Sequence, residues 1–554
     1  MKLSYIVIFA TILILSSCKK AENQVKKPNF ILISCEDISP YLSFYGDSTA
    51  KTPNLNQLSK ESLIFDNAFA TAGVCSPSRS SIITGMHPVS IGTHNMRTGG
   101  DAVGWGMRHY ENLSKDLIDS EGTPFSMYSA VLPPEVKCFT NFMRETGYFC
   151  TNNYKTDLQF ASPLSAWDEN SEDAHFKNRK ENQPFLAIFN HMITHESRLW
   201  EKSKDSLRVN PNNVKLPSYI ADFDQSRVDF ARNYSNIEEL DAQVGNLLNE
   251  LQKSGEYENT YIIFYSDHGG PLPRGKRMIY DSGLKAPFMI RFPNKSRTGR
   301  TDHLVSFVDI APTILSLANI DIPEYIQGKA FLGSQKTEEQ EYIFGSGDRF
   351  DNCYDRVRCI RNKNYMLVKN YYTNKPRYMD IEYRKKIPMM PEFLRMRDDG
   401  ELNDTQMLWF NPTKPEIEFY DVNADPEQVN NIADLPEFKQ KINTMHADLE
   451  SWQNKIKDKG NIPEAQLLLS NWPNMEQPFT ALPEVNLIND KYKVSCTTEG
   501  ADVVYRYSNS SDIIEELDHW KLYTEPIKEQ ESKYLHVRST RIGFVDSKPV
   551  IIKM

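Results

Sequence analysis

Apolar runs bounded by polar or turn residues divide the first half of the chain, at 29–34 (Asn-Phe-Ile-Leu-Ile-Ser), 148–151, 184–190 and 260–266. Their near-continuous apolar character, without period-two alternation, predicts strands buried on both faces of a parallel sheet. Between them lie stretches of helical pattern. One opens at Thr52-Pro53, one covers 139–147, and the longest covers 229–253, where Tyr234, Ile237, Leu240, Val244, Leu247, Leu248 and Leu251 form one apolar stripe. Strands alternating with helices predict an α/β domain, which a strand-helix pattern at 305–319 completes. Beyond about residue 345 the texture changes to short strand-like runs at 347–350, 358–369 and 418–421, followed by a helix at 436–456. The Met- and Arg-rich stretch 383–397 reads as an inserted loop. In 478–554, runs at 492–496, 503–507 and 534–538 with turn signals between them predict a small β-sandwich, expected to pack rather than bind. The expected units are therefore 28–345, 346–475 and 478–554.

With 554 residues the chain is too long for a single core. Its net charge of −10 leaves no general basic surface for nucleic acid, so any anionic substrate must meet cations gathered locally. Lys2 precedes an apolar run at 6–15 that is too short to be a membrane span. Leu15-Ser16-Ser17-Cys18 is similar to a bacterial lipobox. This predicts a signal peptide over 1–17, lipidation of Cys18, a polar tether over 18–27 and an exported protein anchored to the outer membrane, facing periplasm or cell surface. A plain secretory signal is the alternative. Apart from Cys18 and Cys75, the cysteines are Cys35, Cys138, Cys150, Cys353, Cys359 and Cys496, with no C-x-x-C pair. Cys353 with Cys359, or Cys138 with Cys150, could pair in an exported protein, and spacing does not decide it.

The chemistry gathers where predicted strands end. The run at 29–34 leads into Cys35-Glu36-Asp37, and that at 260–266 into Asp267-His268-Gly269. Open α/β sheets bind ligands at this carboxyl edge. Between them stands Cys75-Ser76-Pro77-Ser78-Arg79, followed by an apolar run to Thr84-Gly85. Pro77 suits the first turn of a helix, which places residue 75 at a helix N-terminus, a natural anion site. Arg79, one turn on, offers the same anion a rigid fork of donors. A Gly-rich loop from 92 to 106 lies among His87, His94, Arg97, Arg108 and His109, and could line a cleft. The run at 184–190 leads into His191-Met192-Ile193-Thr194-His195-Glu196-Ser197-Arg198.

The Cys-x-Pro-x-Arg element resembles the signature of type I sulfatases, within the alkaline phosphatase superfamily. Glu36-Asp37, Asp267-His268-Gly269, Gly275-Lys276 and the Gly-x-x-x-Pro at 283–287 match further elements of that family in the correct order, and 425–431 resembles its C-terminal signature. The resemblance implies a large mixed sheet flanked by helices with a smaller antiparallel-sheet subdomain. It also implies conversion of Cys75 to formylglycine by a formylglycine-generating enzyme; the aldehyde, hydrated to a geminal diol, is the nucleophile. One Ca2+ per chain would be held by Glu36, Asp37, Asp267, His268 and residue 75. Arg79, Lys155 and Lys276 would clamp the sulfate, and His195, favoured over His191, would protonate the leaving alcohol. Where the family has Gly-Lys-x-His this chain has Tyr154-Lys155-Thr156-Asp157, so Asp157 replaces a histidine base. Asp157 is expected to serve as that base, with His94 as its competitor. His94, Arg97 and Arg198 are the expected substrate contacts. The implied activity is desulfation of a sulfated carbohydrate, an algal glycan such as ulvan favoured and a glycosaminoglycan possible. The alternatives are a phosphatase or phosphodiesterase of the same superfamily, and an inactive glycan-binding lipoprotein.

Overall fold

The computed structural model of the chain describes residues 26–100, 102–110, 117–118, 122 and 124–554. The leader, Cys18 and most of the tether lie outside the described residues. Strands β1 (Asn29–Cys35), β2 (Ser62–Phe69), the hairpin β3 (Leu117–Ile118) with β4 (Pro124–Phe125), β5 (Phe149–Asn153), β6 (Glu169–Asn170), β7 (Phe185–His191), β8 (Thr260–Ser266), β9 (Phe288–Arg291) and β10 (Gly299–Ser306) make up the first part. All but the hairpin join one sheet in the order β10-β2-β9-β8-β1-β7-β5-β6. Only β9 runs antiparallel to its neighbours, so the sheet is mixed.

Both faces are covered. On β1, Ile31 and Ile33 point into one core with the buried face of the helix Asp224–Lys253, including all seven residues of the expected stripe. Phe30 and Leu32 point into a second core with Ile82, Ile83, Phe139, Met143 and Ile314 from helices on the other side. This double burial is why the strands read as continuous apolar runs.

The second half forms an antiparallel sheet of β11 (Ile343–Gly347), β12 (Val357–Arg361), β13 (Tyr365–Asn370) and β14 (Ile417–Asp421). The run at 358–369 is thus a hairpin, whereas the strand expected at 347–350 lies at Ile343–Gly347 and meets the expected run only at Gly347. Ile360, Leu367 and Phe419 pack under the helix Lys439–Ile456, whereas Cys359, Met366 and Val368 join the first core. The stretch read as a loop contains two helices, Glu382–Lys385 and Met390–Asp398. Met389, Met390 and Phe393 are buried in the first core, while Arg395 pairs outward with Glu392, Asp399 and Glu401.

At the C-terminus, β15 (Glu484–Ile488), β16 (Lys491–Ser495) and β19 (Ile527–Lys528) form one sheet; β17 (Asp502–Ser508), β18 (Lys521–Leu522), β20 (Tyr534–Thr540) and β21 (Val550–Lys553) form another. Tyr492 and Ile527 share a core with Val503, Leu535 and Val537, so the two sheets make a sandwich. It packs on the main domain. Trp520 lies against Leu164, Asn141 donates to Asp502 at 2.6 Å, and the Asn170 amide of β6 donates to Asp518 at 2.8 Å. All seven cysteines among the described residues are free thiols, so neither candidate pair forms. No described helix is long and apolar enough to cross a membrane.

Candidate active site

Strands β1 and β8 are parallel neighbours with Cys35 opposite Ser266. Glu36 and Asp37 therefore leave the sheet beside Asp267 and His268, all four fully buried. The Asp37 amide donates to Asp267 Oδ1 at 3.2 Å. The helix Cys75–Thr84 starts against this edge with Val74 extended before it and ends at Gly85, which adopts a left-handed φ of 68°. Its entry needs a glycine: a Cβ on Gly73 would stand 2.2 Å from the Met278 carbonyl oxygen. Cys75 Sγ then lies 3.4 Å from His268 Nε2, 3.7 Å from Glu36 Oε2, 3.9 Å from Asp37 Oδ1 and 3.4 Å from Lys276 Nζ.

Three cations interleave with the three acids. Arg79 pairs with Glu36 through Nη2, reaches Asp267 Oδ2 at 3.0 Å through Nε, and donates to Asn190 at 2.8 Å. Lys155 Nζ contacts Glu36 at 2.5 Å and Asp157 at 3.0 Å. Lys276 Nζ bridges both Asp37 oxygens at 2.9 and 2.7 Å. Burial works to raise the Asp37 carboxyl, but Lys276, His268 and His195 outweigh it and hold it well below the usual range. For Glu36 burial prevails over Arg79 and Lys155, and its value is raised. Burial works to lower His268, yet Asp267 and Asp37 hold it well above the ordinary imidazole value. The Cys75 thiol is pushed up by burial against the pull of Lys155 and Lys276. As a thiol it is a poor nucleophile.

Further charged groups brace these residues from behind. The Glu196 amide donates to Asp37 Oδ2 at 2.8 Å, and its carboxylate takes both terminal nitrogens of Arg277 at 2.8 Å. Arg277 Nε donates to Asp351 at 2.7 Å, and Asp351 also holds Arg97. Sequence reading missed Glu196, Arg277 and Asp351. The available signals were the adjacency of Glu196 to His195 and of Arg277 to Lys276.

The expected residues divide into those brought together and those kept apart. His195 joins Glu36, Asp37 and Cys75, with donor atoms within 4.8 Å of one another. Its Nδ1 accepts from the Ser197 amide at 3.2 Å, which leaves the proton on Nε2. Burial and Lys276 push it down to about 3, so the ring is neutral at pH 7 and offers a hydrogen bond rather than a ready proton. His191 bonds Gln243 at 3.0 Å instead. Asp157 accepts from Ser76 at 2.5 Å and from Lys155. Despite burial, Lys155 and the Ser76 hydroxyl keep it far below the usual carboxylate range, which makes it a weak base and an anchor for Lys155. Arg97 stands at the rim beside Asp351.

Two further expected substrate contacts have other partners. The backbone around His94 is pinned to the segment that follows β11, Met96 donating to the Arg349 carbonyl at 2.9 Å. This buries the imidazole, and the charges that act on it belong to Asp348, Arg358, Asp458 and Glu464. Arg198 pairs with Glu201 at 2.5 Å on the surface of its own short helix.

The donor set suits a divalent cation. Asp37, Asp267, His268 and position 75 offer one set of ligand atoms, and Glu36 belongs to an overlapping one. Lys276, Arg79 and the His268 ring lie directly against these carboxylates. Buried acids converging at a sheet edge on a helix N-terminus, ringed by cations, suit a metal-assisted enzyme that binds a tetrahedral oxyanion.

Comparison with known proteins specifies the ester. Residues 28–320 match the Sulfatase family model, and residues 274–403 match that of the N-sulphoglucosamine sulphohydrolase C-terminal region. An ulvan-active sulfatase of Formosa agariphila is 38% identical over 97% of this chain and 95% of its own. Human N-sulphoglucosamine sulphohydrolase is 24% identical over 81% of this chain and 93% of its own. A solved structure from the glycosaminoglycan metabolism of Bacteroides thetaiotaomicron superposes with a TM-score of 0.56 at 16% identity, covering 78% of this chain and 97% of that one. The chain belongs to the sulfatase family. It is a sulfuric ester hydrolase with the alkaline phosphatase-like fold, from a family whose members use formylglycine and a divalent metal.

Proposed function

We propose that this protein removes sulfate esters from an algal polysaccharide of the ulvan type, or from oligosaccharides derived from it. The observation that carries the substrate is the 38% identity with an ulvan-active sulfatase along almost the whole of both chains. Calcium is the proposed metal, because three of the protein donors are carboxylates, the hard oxygen ligands that ion prefers. Glu36, Asp37, Asp267 and His268 would hold it, and when bound it polarises the oxygen nucleophile at position 75. Cys75, 1% exposed, is the proposed substrate of a formylglycine-generating enzyme, which must reach it before the chain folds. The lipobox-like Leu15-Ser16-Ser17-Cys18 supports export and an outer-membrane lipid anchor at Cys18.

The chain's own residues account for the remaining work. A sulfate monoester is an anion, so attack requires its peripheral oxygens to be neutralised. Arg79, Lys155 and Lys276 surround position 75 for that purpose. The dipole of the helix Cys75–Thr84 adds to them. His195 directs Nε2–H toward the departing sugar oxygen, and the bound anion raises the ring's pKa from its low resting value. Asp157 positions Lys155 and Ser76.

The test is expression with a formylglycine-generating enzyme, mass spectrometry of the peptide containing residue 75, and ion chromatography of sulfate released from sulfated oligosaccharides. The expected result is an aldehyde at residue 75 and sulfate release from ulvan fragments that EDTA abolishes. Active protein containing only cysteine at 75, or preferential hydrolysis of phosphate esters, would overturn the reading.

A further inference from the structure

Two segments from distant parts of the chain meet at the mouth of the pocket: the stretch after β7, and the helix Glu382–Lys385 from the second half. Tyr383, half-buried, packs against the apolar cluster that contains Cys75 and Met96. Trp200 stands edge-on to it with ring centroids 4.9 Å apart, and His195 lies 6.4 Å away. The rings of Tyr383 and Trp200 thus form an aromatic wall that begins beside the residue facing the leaving group.

Two cations flank this wall. The Arg97 guanidinium is 5.0 Å from the Tyr383 ring centre. Lys386 Nζ is 5.4 Å from Tyr383 and 5.9 Å from Trp200. Arg97 is held in place through Nε by Asp351, itself fixed by Arg277. Among the described residues its two terminal nitrogens donate to no protein acceptor, and neither does Lys386 Nζ. Inside the pocket, by contrast, Arg79, Lys155 and Lys276 each rest on a carboxylate. Oriented donors left open beside an aromatic surface suit a ligand with an apolar ring face and a negative substituent at its edge.

We propose that Arg97, Trp200, Tyr383 and Lys386 form a subsite for the sugar adjoining the one that loses its sulfate, and that this subsite selects an anionic sugar. The ring packs on Tyr383 and Trp200. Its carboxylate or second sulfate meets Arg97 and Lys386. The assignment rests on the reading of the enzyme as a saccharide sulfatase.

The experiment compares formylglycine-loaded wild type with Arg97→Gln, Lys386→Gln and Tyr383→Leu. The substrates are three matched sulfated oligosaccharides whose neighbouring sugar is a uronate, its carboxyl-reduced neutral form, or a second sulfated residue. A charge-assisted hydrogen bond corresponds to about a ten- to hundredfold effect. Wild type is expected to favour an anionic neighbour over the neutral one, through a lower KM. In Arg97→Gln and Lys386→Gln that preference should collapse by about tenfold or more, and the uronate and sulfate arms identify which anion is bound. Tyr383→Leu should raise KM for all three. A preference that survives both charge substitutions, or equal losses on charged and neutral substrates, would overturn the subsite while leaving the sulfatase reading intact. Failure of loaded wild type on every sulfated saccharide would sink both.

Discussion

The inner pocket and its rim handle charge in opposite ways. Inside, Glu36, Asp37 and Asp267 are interleaved with Arg79, Lys155 and Lys276, and every one of these groups is buried. At the rim, Arg97 and Lys386 are exposed and keep donors open beside Tyr383. The difference follows from solvation. A buried charge without a partner is severely destabilising, so the pocket has to satisfy itself before any substrate arrives. A rim charge is kept by water at little cost and can leave donors open toward a ligand. The pocket therefore combines folding and catalysis in the same residues, whereas the rim can be altered without undoing the fold.

The sharpest way to break this comparison is to remove a pocket acid. Asp37→Ala or Asp267→Ala should eliminate bound divalent ion, measured by elemental analysis, and reduce sulfate release by about three orders of magnitude or more. Unchanged metal content and turnover would show that the acids serve only to pair Lys276 and Arg79. A smaller effect is expected one step out. Asp157→Asn keeps the shape but weakens the hold on Lys155 and Ser76, and kcat should fall by about tenfold, with the acidic limb of the pH profile in place. A loss of about a thousandfold with that limb abolished would restore Asp157 as a base.

The smallest effect lies behind the rim. Asp229 accepts from Gln225 at 2.8 Å and from the Met389 amide at 2.7 Å, tying the segment that carries Tyr383 to the long helix. Burial pushes this carboxyl up to about 7, against those two hydrogen bonds and Arg232. The folded-state value lies above the unfolded one, so the stability contributed by the protonated form is complete below about pH 4 and is lost as pH rises through 7. Asp229→Asn should remove that share of the decline, leaving the protein roughly 1 kcal/mol or more better off at pH 8 relative to pH 4 in denaturant titrations. An identical pH profile in the variant would show that Asp229 is ionised throughout.

The same divide explains what was legible in the sequence. Glu36, Asp37, Cys75, Arg79, Asp267 and Lys276 stand at strand ends, a helix start and a tight turn, so their local context announces them. The chain Glu196–Arg277–Asp351–Arg97 joins four separate segments, and only the folded backbone makes it contiguous. Tyr383 was hidden for another reason. Pro388 and Pro391 interrupt the stretch around it, and the apolar positions 389, 390 and 393 look like scattered methionines and a phenylalanine until the helix Met390–Asp398 gathers them. His94 misled in the opposite sense, because a glycine-rich context suggests an open loop although tertiary packing seals it.

The attachment of the C-terminal sandwich to β6 bears on how the chain is made. β6 is the last strand of the large sheet. The Asn170 amide donates to Asp518, and the His519 amide donates to the carbonyl of Asp168 at 2.6 Å, so the sandwich closes an edge that would otherwise present free backbone groups. During synthesis, β6 leaves the ribosome more than three hundred residues before Asp518 and His519. Until Asp518 and His519 have been made, the catalytic sheet thus has an open margin, the kind of edge on which another strand can pair, and the sandwich covers it.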